Sequence, residues 1–200
     1  MIAILLNDAS FEQDIRELLM AFYPGETFTH KEEEAGEADL IVRGVRDGNS
    51  FSLDVTPVKK EAVHFALIYP DFSNRFETKN EIKQTLYRLL SAQTGRELPW
   101  GTLTGIRPTK IALTKLYDGW TDEQIETYMR ETYFTSKEKI DLSIDVAERE
   151  RRLLSTIDYE NGYSLYVGIP FCPTTCLYCS FTSFPIVKWE KRMDLYKGAF

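Results

Sequence analysis

The sequence predicts an α/β fold in two parts, a front domain over residues 1–160 and a shorter segment over residues 161–200. Near the N-terminus, apolar residues follow the strand, helix and hairpin patterns of a small sheet with helices. From about residue 75 the apolar residues recur at helical spacing, which indicates a helical portion of the same domain. The polar stretch 158–162 separates the two parts, and aromatic and β-branched residues alternate after it, as in a strand.

The first elements of the front domain are predicted as a strand, a helix and a second short strand. Residues Ile2–Leu6 are continuously apolar, which is typical of a buried strand. The apolar residues between Phe11 and Phe22 are spaced so that they share one face of a helix, and the Pro-Gly pair at 24–25 ends it. Residues 26–30 are predicted as a short strand, and the acidic stretch 31–37 as a loop.

A hairpin is predicted next. Segments 39–46 and 50–55 alternate between apolar and polar residues on either side of the Asp-Gly-Asn sequence at 47–49, and Asp-Gly between such segments is a strong hairpin signal. Residues 63–69 fit either a further strand or the start of a helix, and their periodicity does not decide between the two.

The helical portion has clear start and stop signals. Pro108 suits the first turn of a helix, where its missing N–H is not needed. Thr121 and Gln124 form the sequence pattern of a capping box. The predicted helices span residues 75–95, 109–117, 122–133 and 137–157.

Composition limits the function classes. The net charge is −7, and residues 161–200 carry more basic than acidic side chains, so the negative charge lies in the front domain. An acidic surface disfavours nucleic-acid binding, which depends on Lys and Arg contacts to phosphates. There is no apolar run of 18 residues and no secretory signal pattern, so we expect no membrane span and a cytoplasmic location.

All three cysteines of the chain, Cys172, Cys176 and Cys179, lie in one C-x₃-C-x₂-C motif. A structural zinc site takes four ligands, and the only histidines, His30 and His64, are more than 100 residues upstream. Cysteine thiolates are the usual ligands of [4Fe–4S] clusters, and three of them bind three irons and leave the fourth open to a substrate or cofactor. The motif therefore favours an iron–sulfur cluster, with zinc as the alternative.

The motif, with Tyr178 before its last cysteine, resembles that of the radical S-adenosylmethionine (SAM) superfamily. Residues 166–172, Tyr-Val-Gly-Ile-Pro-Phe-Cys, are similar to the Y-I-H-I-P-F-C opening of oxygen-independent coproporphyrinogen III oxidases and their relatives. Residues 104–110, Thr-Gly-Ile-Arg-Pro-Thr-Lys, are similar to the HemZ-type branch. The resemblance implies that the three cysteines hold a [4Fe–4S] cluster and that Tyr166 and Tyr178 bind SAM.

The same resemblance implies a fold and an activity. Residues 161–200 would be the first strand, cluster loop and first helix of a partial (β/α)₆ barrel, and the chain would be the N-terminal portion of a longer oxidoreductase. The implied reaction is the oxidative decarboxylation of coproporphyrinogen III propionates in haem biosynthesis, with flavodoxin or ferredoxin as electron donor. The oxidases carry His at the position of Gly168 and a fourth cysteine at that of Phe181. The alternatives are a haem-binding or haem-delivery protein and a radical SAM enzyme acting on RNA.

Overall fold

The computed structural model of the protein describes residues 1–58, 63–158, 161–174, 176–181 and 183–198. The chain divides into two compact units, Met1–Thr156 and Ile157–Phe200, which are called the first and second unit below. None of the helices in the described part of the chain is long and apolar enough to cross a membrane. The mixture of helices and strands confirms the predicted α/β class.

The first unit contains a five-stranded mixed sheet in the order β2-β1-β3-β4-β5. Strand β1 pairs in parallel with β2 and β3, whereas β3, β4 and β5 are joined by antiparallel pairing. Residues 63–69, which the sequence left open, form the last of these strands. The strands are β1 (Ile2–Leu6), β2 (Phe28–Thr29), β3 (Leu40–Asp47), β4 (Ser50–Pro57) and β5 (His64–Ile68).

Two helices, α1 (Glu12–Phe22) and α2 (Arg75–Thr94), share the core of the sheet. Alternate residues of β4 are buried, so one face of the sheet meets these helices and the other face is more open. Helix α2 ends close to residue 95, as the sequence predicted, and Gly95 caps it in the left-handed conformation. The largest fully buried side chains of this core include Phe22, Phe51, Ile82, Leu86 and Leu90.

Three further helices, α3 (Pro108–Tyr117), α4 (Asp122–Tyr133) and α5 (Lys137–Leu154), form a second small core. Thr121 and Gln124 make both hydrogen bonds of the predicted capping box. The helices start where the sequence predicted, but α5 ends at Leu154 rather than near residue 157. This core contains Ala112, Ile125, Met129, Ile140, Ile144 and Ala147.

Two local predictions are wrong. The acidic stretch predicted as a loop contains a 3₁₀-helix over Glu32–Glu37. The strand predicted over residues 163–169, which would have begun the barrel, is not formed. A strand exists only when its backbone groups pair with a neighbour, and in the described part of the second unit regular pairing begins only at β6 (Phe171–Cys172), which lies parallel to β7 (Phe184–Pro185).

The helix predicted from residue 188 is divided into α6 (Ile186–Trp189), a 3₁₀ turn over Glu190–Arg192 and α7 (Met193–Lys197). Trp189 and Tyr196 both contact the ring of Phe171, at centroid distances of 5.7 and 5.0 Å. Residues seven positions apart in a straight helix are separated by about 10 Å along its axis. Both side chains reach one ring, a contact that the apolar spacing alone did not indicate.

Candidate functional site

The cysteine motif lies on the loop that joins β6 to β7 in the second unit. Cys172 is the last residue of β6 and pairs with Pro185 of β7, while the amide of Phe184 donates a 2.7 Å hydrogen bond to the carbonyl of Pro170. The strand pair therefore fixes the beginning of the loop at the first cysteine. The other two cysteines lie beyond the strand and depend on the loop for their positions.

An aromatic cluster supports the strand pair from one side. Phe171 contacts Trp189 and Tyr196, and Phe184 contacts Trp189 at a centroid distance of 5.5 Å. The Tyr196 hydroxyl also donates a hydrogen bond to the carbonyl of Gly168. These contacts hold the segment before the first cysteine against α6 and α7, so the cysteine loop starts from an anchored position.

The three cysteines are free thiols with different exposure: Cys172 and Cys179 are half-buried, whereas Cys176 is exposed. A turn links the last two, because the amide of Cys179 donates a 3.0 Å hydrogen bond to the carbonyl of Cys176. The Cys179 thiol lies 3.8 Å from the carbonyl oxygen of Phe181, within the range of a weak S–H hydrogen bond. All three thiols are thus available for ligation.

A cavity of about 380 Å³ lies beside this loop, within the second unit. The side chains of Cys172 and Cys179 line it together with Tyr166 and Phe181, whereas Cys176 does not. Tyr178 is also absent from the lining and is 90% exposed. The structure therefore brings three of the five predicted site residues to one cavity and leaves Cys176 and Tyr178 on the surface of the loop.

The donor set is three free thiols on one loop, and cysteine thiolates are the usual ligands of iron–sulfur clusters. Among the residues that the structure describes, no three His, Cys, Asp or Glu side chains converge on a point where one metal ion could bind. In a cubane cluster each thiolate binds a different iron, so the three sulfurs stand farther apart than the ligands of one ion. The chemistry of three free thiols on one loop is compatible with that arrangement.

The two histidines lie in the first unit and have structural surroundings. The Nδ1 atom of His30 lies 3.2 Å from the carbonyl oxygen of Ile4, and its Nε2 atom lies 3.4 Å from a carboxylate oxygen of Glu12. His64 is the first residue of β5. Both histidines lie in strand-like sequence patterns, which predict structural or surface side chains, and these positions agree with that prediction.

A larger cavity, of about 580 Å³, lies in the first unit and was not predicted from the sequence. It lies between α1, α2 and the segment Leu103–Ile106, which contains part of the Thr-Gly-Ile sequence noted above. A signal was present, because Arg75, Lys79 and Lys83 recur every four residues along one face of α2. The facing acidic side chains come from α1, so only the fold brings the two sets together.

The chain is similar to a curated protein, the oxygen-independent coproporphyrinogen-III oxidase-like protein HemZ of Bacillus subtilis (strain 168), with 36% identity over 135 residues. The similarity covers 66% of this chain and 26% of HemZ, so the chain spans about a quarter of that relative. This homology confirms the resemblance to the HemZ type. No family model and no solved structure matches the chain.

The similarity is longer than the second unit. Any continuous stretch that covers 66% of a 200-residue chain includes about residues 70 to 130. The shared region therefore includes α2, α3 and nearly all of α4, whatever its ends are. Homology with HemZ is a property of the front domain and is not limited to the part of the chain that holds the cysteines.

Proposed function

We propose that this chain, a HemZ homologue, is the N-terminal portion of a radical SAM enzyme of haem biosynthesis and holds its [4Fe–4S] cluster. The observation that carries the proposal is the C-x₃-C-x₂-C loop, with two half-buried cysteines at one cavity and the third exposed beside it. The homology with a coproporphyrinogen oxidase-like protein supports the haem-biosynthesis assignment. The front domain belongs to the same enzyme.

In this proposal Cys172, Cys176 and Cys179 bind three irons as thiolates and leave one iron without a protein ligand. Ligation requires that each thiol loses its proton, so cluster binding releases protons and weakens at low pH. The exposed position of Cys176 lets it turn toward the cavity without breaking a packed core. When bound, the cluster and SAM supply a 5′-deoxyadenosyl radical that abstracts hydrogen from the substrate.

The cavity beside the cysteines is the proposed place for SAM. Tyr166 lines this cavity, and its ring is available for stacking because the side chain is 87% exposed. Tyr178 is outside the cavity, so a contact with the adenine of SAM requires the loop to move when the cluster binds. Tyr166 is therefore the better supported of the two proposed cofactor contacts.

The proposed reaction is the oxidative decarboxylation of two propionates of coproporphyrinogen III, with the porphyrinogen as substrate and flavodoxin or ferredoxin as electron donor. In this scheme the propionate β-carbon gives up a hydrogen atom to the 5′-deoxyadenosyl radical; the bond to the carboxylate then breaks, carbon dioxide leaves, one electron passes to a one-electron acceptor, and a vinyl double bond forms. Since the chain spans about a quarter of HemZ, the substrate pocket belongs to the longer protein that the proposal implies.

A haem-binding or haem-delivery function is the second candidate, and one residue favours it. Phe181, which lines the cavity, stands where the oxidases have a fourth cysteine. An apolar aromatic side chain at this position enlarges the apolar part of the cavity instead of adding a thiolate. The two candidates share the cluster and differ in what the cavity and the rest of the protein bind.

The cluster is tested by anaerobic reconstitution of the 200-residue chain followed by iron, sulfide and zinc analysis. We expect about four irons and four sulfides per chain, and loss of iron in Cys172→Ala, Cys176→Ala and Cys179→Ala. Ser180→Ala, an exposed change within the same loop, is the matched control and should retain the cluster. Zinc in place of iron, or full iron content in Cys176→Ala, would overturn the cluster assignment.

The two candidate functions are separated with the longer protein. Anaerobic incubation with coproporphyrinogen III, SAM and a low-potential reductant should give protoporphyrinogen IX and 5′-deoxyadenosine. Stoichiometric haem binding without any protoporphyrinogen would favour haem delivery and reject the decarboxylation. Because the iron analysis is done separately, rejection of the reaction would leave the cluster assignment standing.

A further inference from the structure

The 580 Å³ cavity of the first unit has walls of opposite charge. The α1 wall carries the carboxylates of Asp14 and Glu17, and the α2 wall carries the cationic groups of Arg75, Lys79 and Lys83. The segment Leu103–Ile106 forms the third side. A volume of this size lies within the range of small-molecule sites.

Lys83 is the most unusual of the charged groups, because its side chain is inside the protein. The residue is only 6% exposed, and its ammonium donates a 2.8 Å hydrogen bond to the hydroxyl of Thr104. Burial lowers the pKa of Lys83, while the nearby carboxylates of Asp14 and Glu17 oppose this effect. An ammonium has three N–H donors. Among the described residues, the Lys83 ammonium donates one hydrogen bond, to Thr104.

A hydroxyl bridge and one long ion pair connect the two walls. Lys83 and Glu17 are joined through the Thr104 hydroxyl, which lies 2.8 Å from the ammonium and 3.2 Å from Oε2 of Glu17. Across the cavity, Nζ of Lys79 and Oδ1 of Asp14 are 4.0 Å apart, at the outer limit of an ion pair. Opposite charges therefore face one cavity while keeping the capacity to bind further groups.

Gly105 gives the third side its shape. Its φ is +67°, and a Cβ at this position would meet the Glu17 carboxylate at 2.9–3.1 Å. The glycine lets the backbone of the segment approach this carboxylate closely, which places the Thr104 hydroxyl between Glu17 and Lys83. The apolar side chains of Leu103 and Ile106 complete the lining at this end.

From this geometry we propose that the cavity binds a free α-amino acid as a zwitterion. Its carboxylate contacts the buried ammonium of Lys83, its ammonium contacts Asp14 and Glu17, and its side chain lies along Leu103 and Ile106. A simple anion would pair with the α2 wall but not with the carboxylates of the α1 wall, and a simple cation would do the reverse. A zwitterion matches both walls. The site lies wholly in the first unit, so it is independent of the cysteine cavity and of the proposed reaction.

Isothermal titration calorimetry of the 200-residue protein with glycine, L-leucine and L-methionine tests this site. We expect saturable binding that is strongest for L-leucine or L-methionine, which have apolar side chains. Two analogues of leucine separate the charges: 4-methylpentanoic acid lacks the ammonium, and 3-methylbutylamine lacks the carboxylate. Each should bind at least about 10-fold more weakly, because one charge-assisted contact is lost.

Asp14→Asn should also reduce leucine affinity about 10-fold, while Asp145→Asn, an exposed change on α5, is the matched control and should leave it unchanged. Lys83→Met is a second variant, used once circular dichroism shows that it folds. No saturable heat up to about 10 mM amino acid, which would detect even millimolar affinities, would overturn the proposal. So would binding of either leucine analogue as tightly as leucine itself, or unchanged affinity in Asp14→Asn.

Discussion

Replacing Gly101 with alanine is expected to destabilise the first unit much more than the same change at a glycine with open surroundings. The φ of Gly101 is +57°, and a Cβ there would lie 1.9 Å from the carbonyl oxygen of Tyr133 and 2.6 Å from the carbonyl carbon of Phe134. These are backbone atoms at the end of α4. The Tyr133 carbonyl also accepts a 2.8 Å hydrogen bond from the amide of Thr102, so it cannot move away without loss.

The magnitude follows from two contributions. The left-handed conformation costs a non-glycine residue about 1–2 kcal/mol, and overpacking typically adds about 1–3 kcal/mol. We therefore expect Gly101→Ala to lower the free energy of unfolding by about 3–5 kcal/mol, at the upper end because the clash is with backbone. Gly119, with φ +82° and no atom within 4 Å of its Cβ position, is the matched control, and Gly119→Ala should cost only about 1–2 kcal/mol.

Urea denaturation followed by far-UV circular dichroism measures both variants. With a slope of about 1–3 kcal/mol per molar urea, Gly101→Ala should shift the midpoint by about 0.7–3 M beyond Gly119→Ala, or remain unfolded without urea. If the two variants agree to within about 0.5 kcal/mol, the size of an ordinary surface effect, the close approach of residue 101 to the end of α4 is refuted.

Two smaller effects should be measurable in the same assay. Thr121→Ala removes the hydroxyl of the capping box and should cost about 1 kcal/mol, whereas Ser136→Ala should cost less, because Ser136 makes no side-chain capping hydrogen bond; equal losses would contradict the capping role. Hydrogen bonds from Ser10 and the Arg46 guanidinium lower the pKa of Asp8. The stability that Asp8 provides is then present near neutral pH and lost as the pH falls through the folded-state pKa. The difference in the free energy of unfolding between wild type and Asp8→Asn should therefore shrink from about pH 5 downwards. A difference independent of pH would contradict this.

Most of the first unit could be predicted from local sequence because its signals are local. The hairpin around residues 47–49, the end of α2 near Gly95 and the capping box of α4 each depend on residues a few positions apart. Strand β5 stayed ambiguous because its apolar run fits either a strand or a buried helix. Its pairing with β4 decides the question, and pairing is a property of the fold that periodicity does not contain.

The two candidate sites also contain one part that local sequence predicts and another that depends on the fold. The cysteines were found because a short motif carries its own chemistry, but the separation of Cys176 and Tyr178 from the cavity depends on how the loop folds. In the first unit, Lys83 on α2 and Glu17 on α1 are far apart in sequence and meet through Thr104. A buried lysine among ordinary helix residues gives no motif, so only the packing of α1, α2 and this segment reveals the second cavity.

The failed strand prediction has a physical consequence for the cysteine site. Tyr163, Leu165 and Ile169 alternate as strand residues do, yet they are 94%, 80% and 70% exposed. Strand propensity describes how well a side chain fits a pleated, half-buried surface, and in the described part of the second unit no such surface covers them. The order of the cysteine loop then rests on the pairing of β6 with β7 and on the aromatic cluster around Phe171. Where metal ligands are not already fixed, the free energy of metal binding also stabilises the fold. The apolar contacts of the second unit support it only weakly, so a cluster bound by the three thiolates would add to its stability.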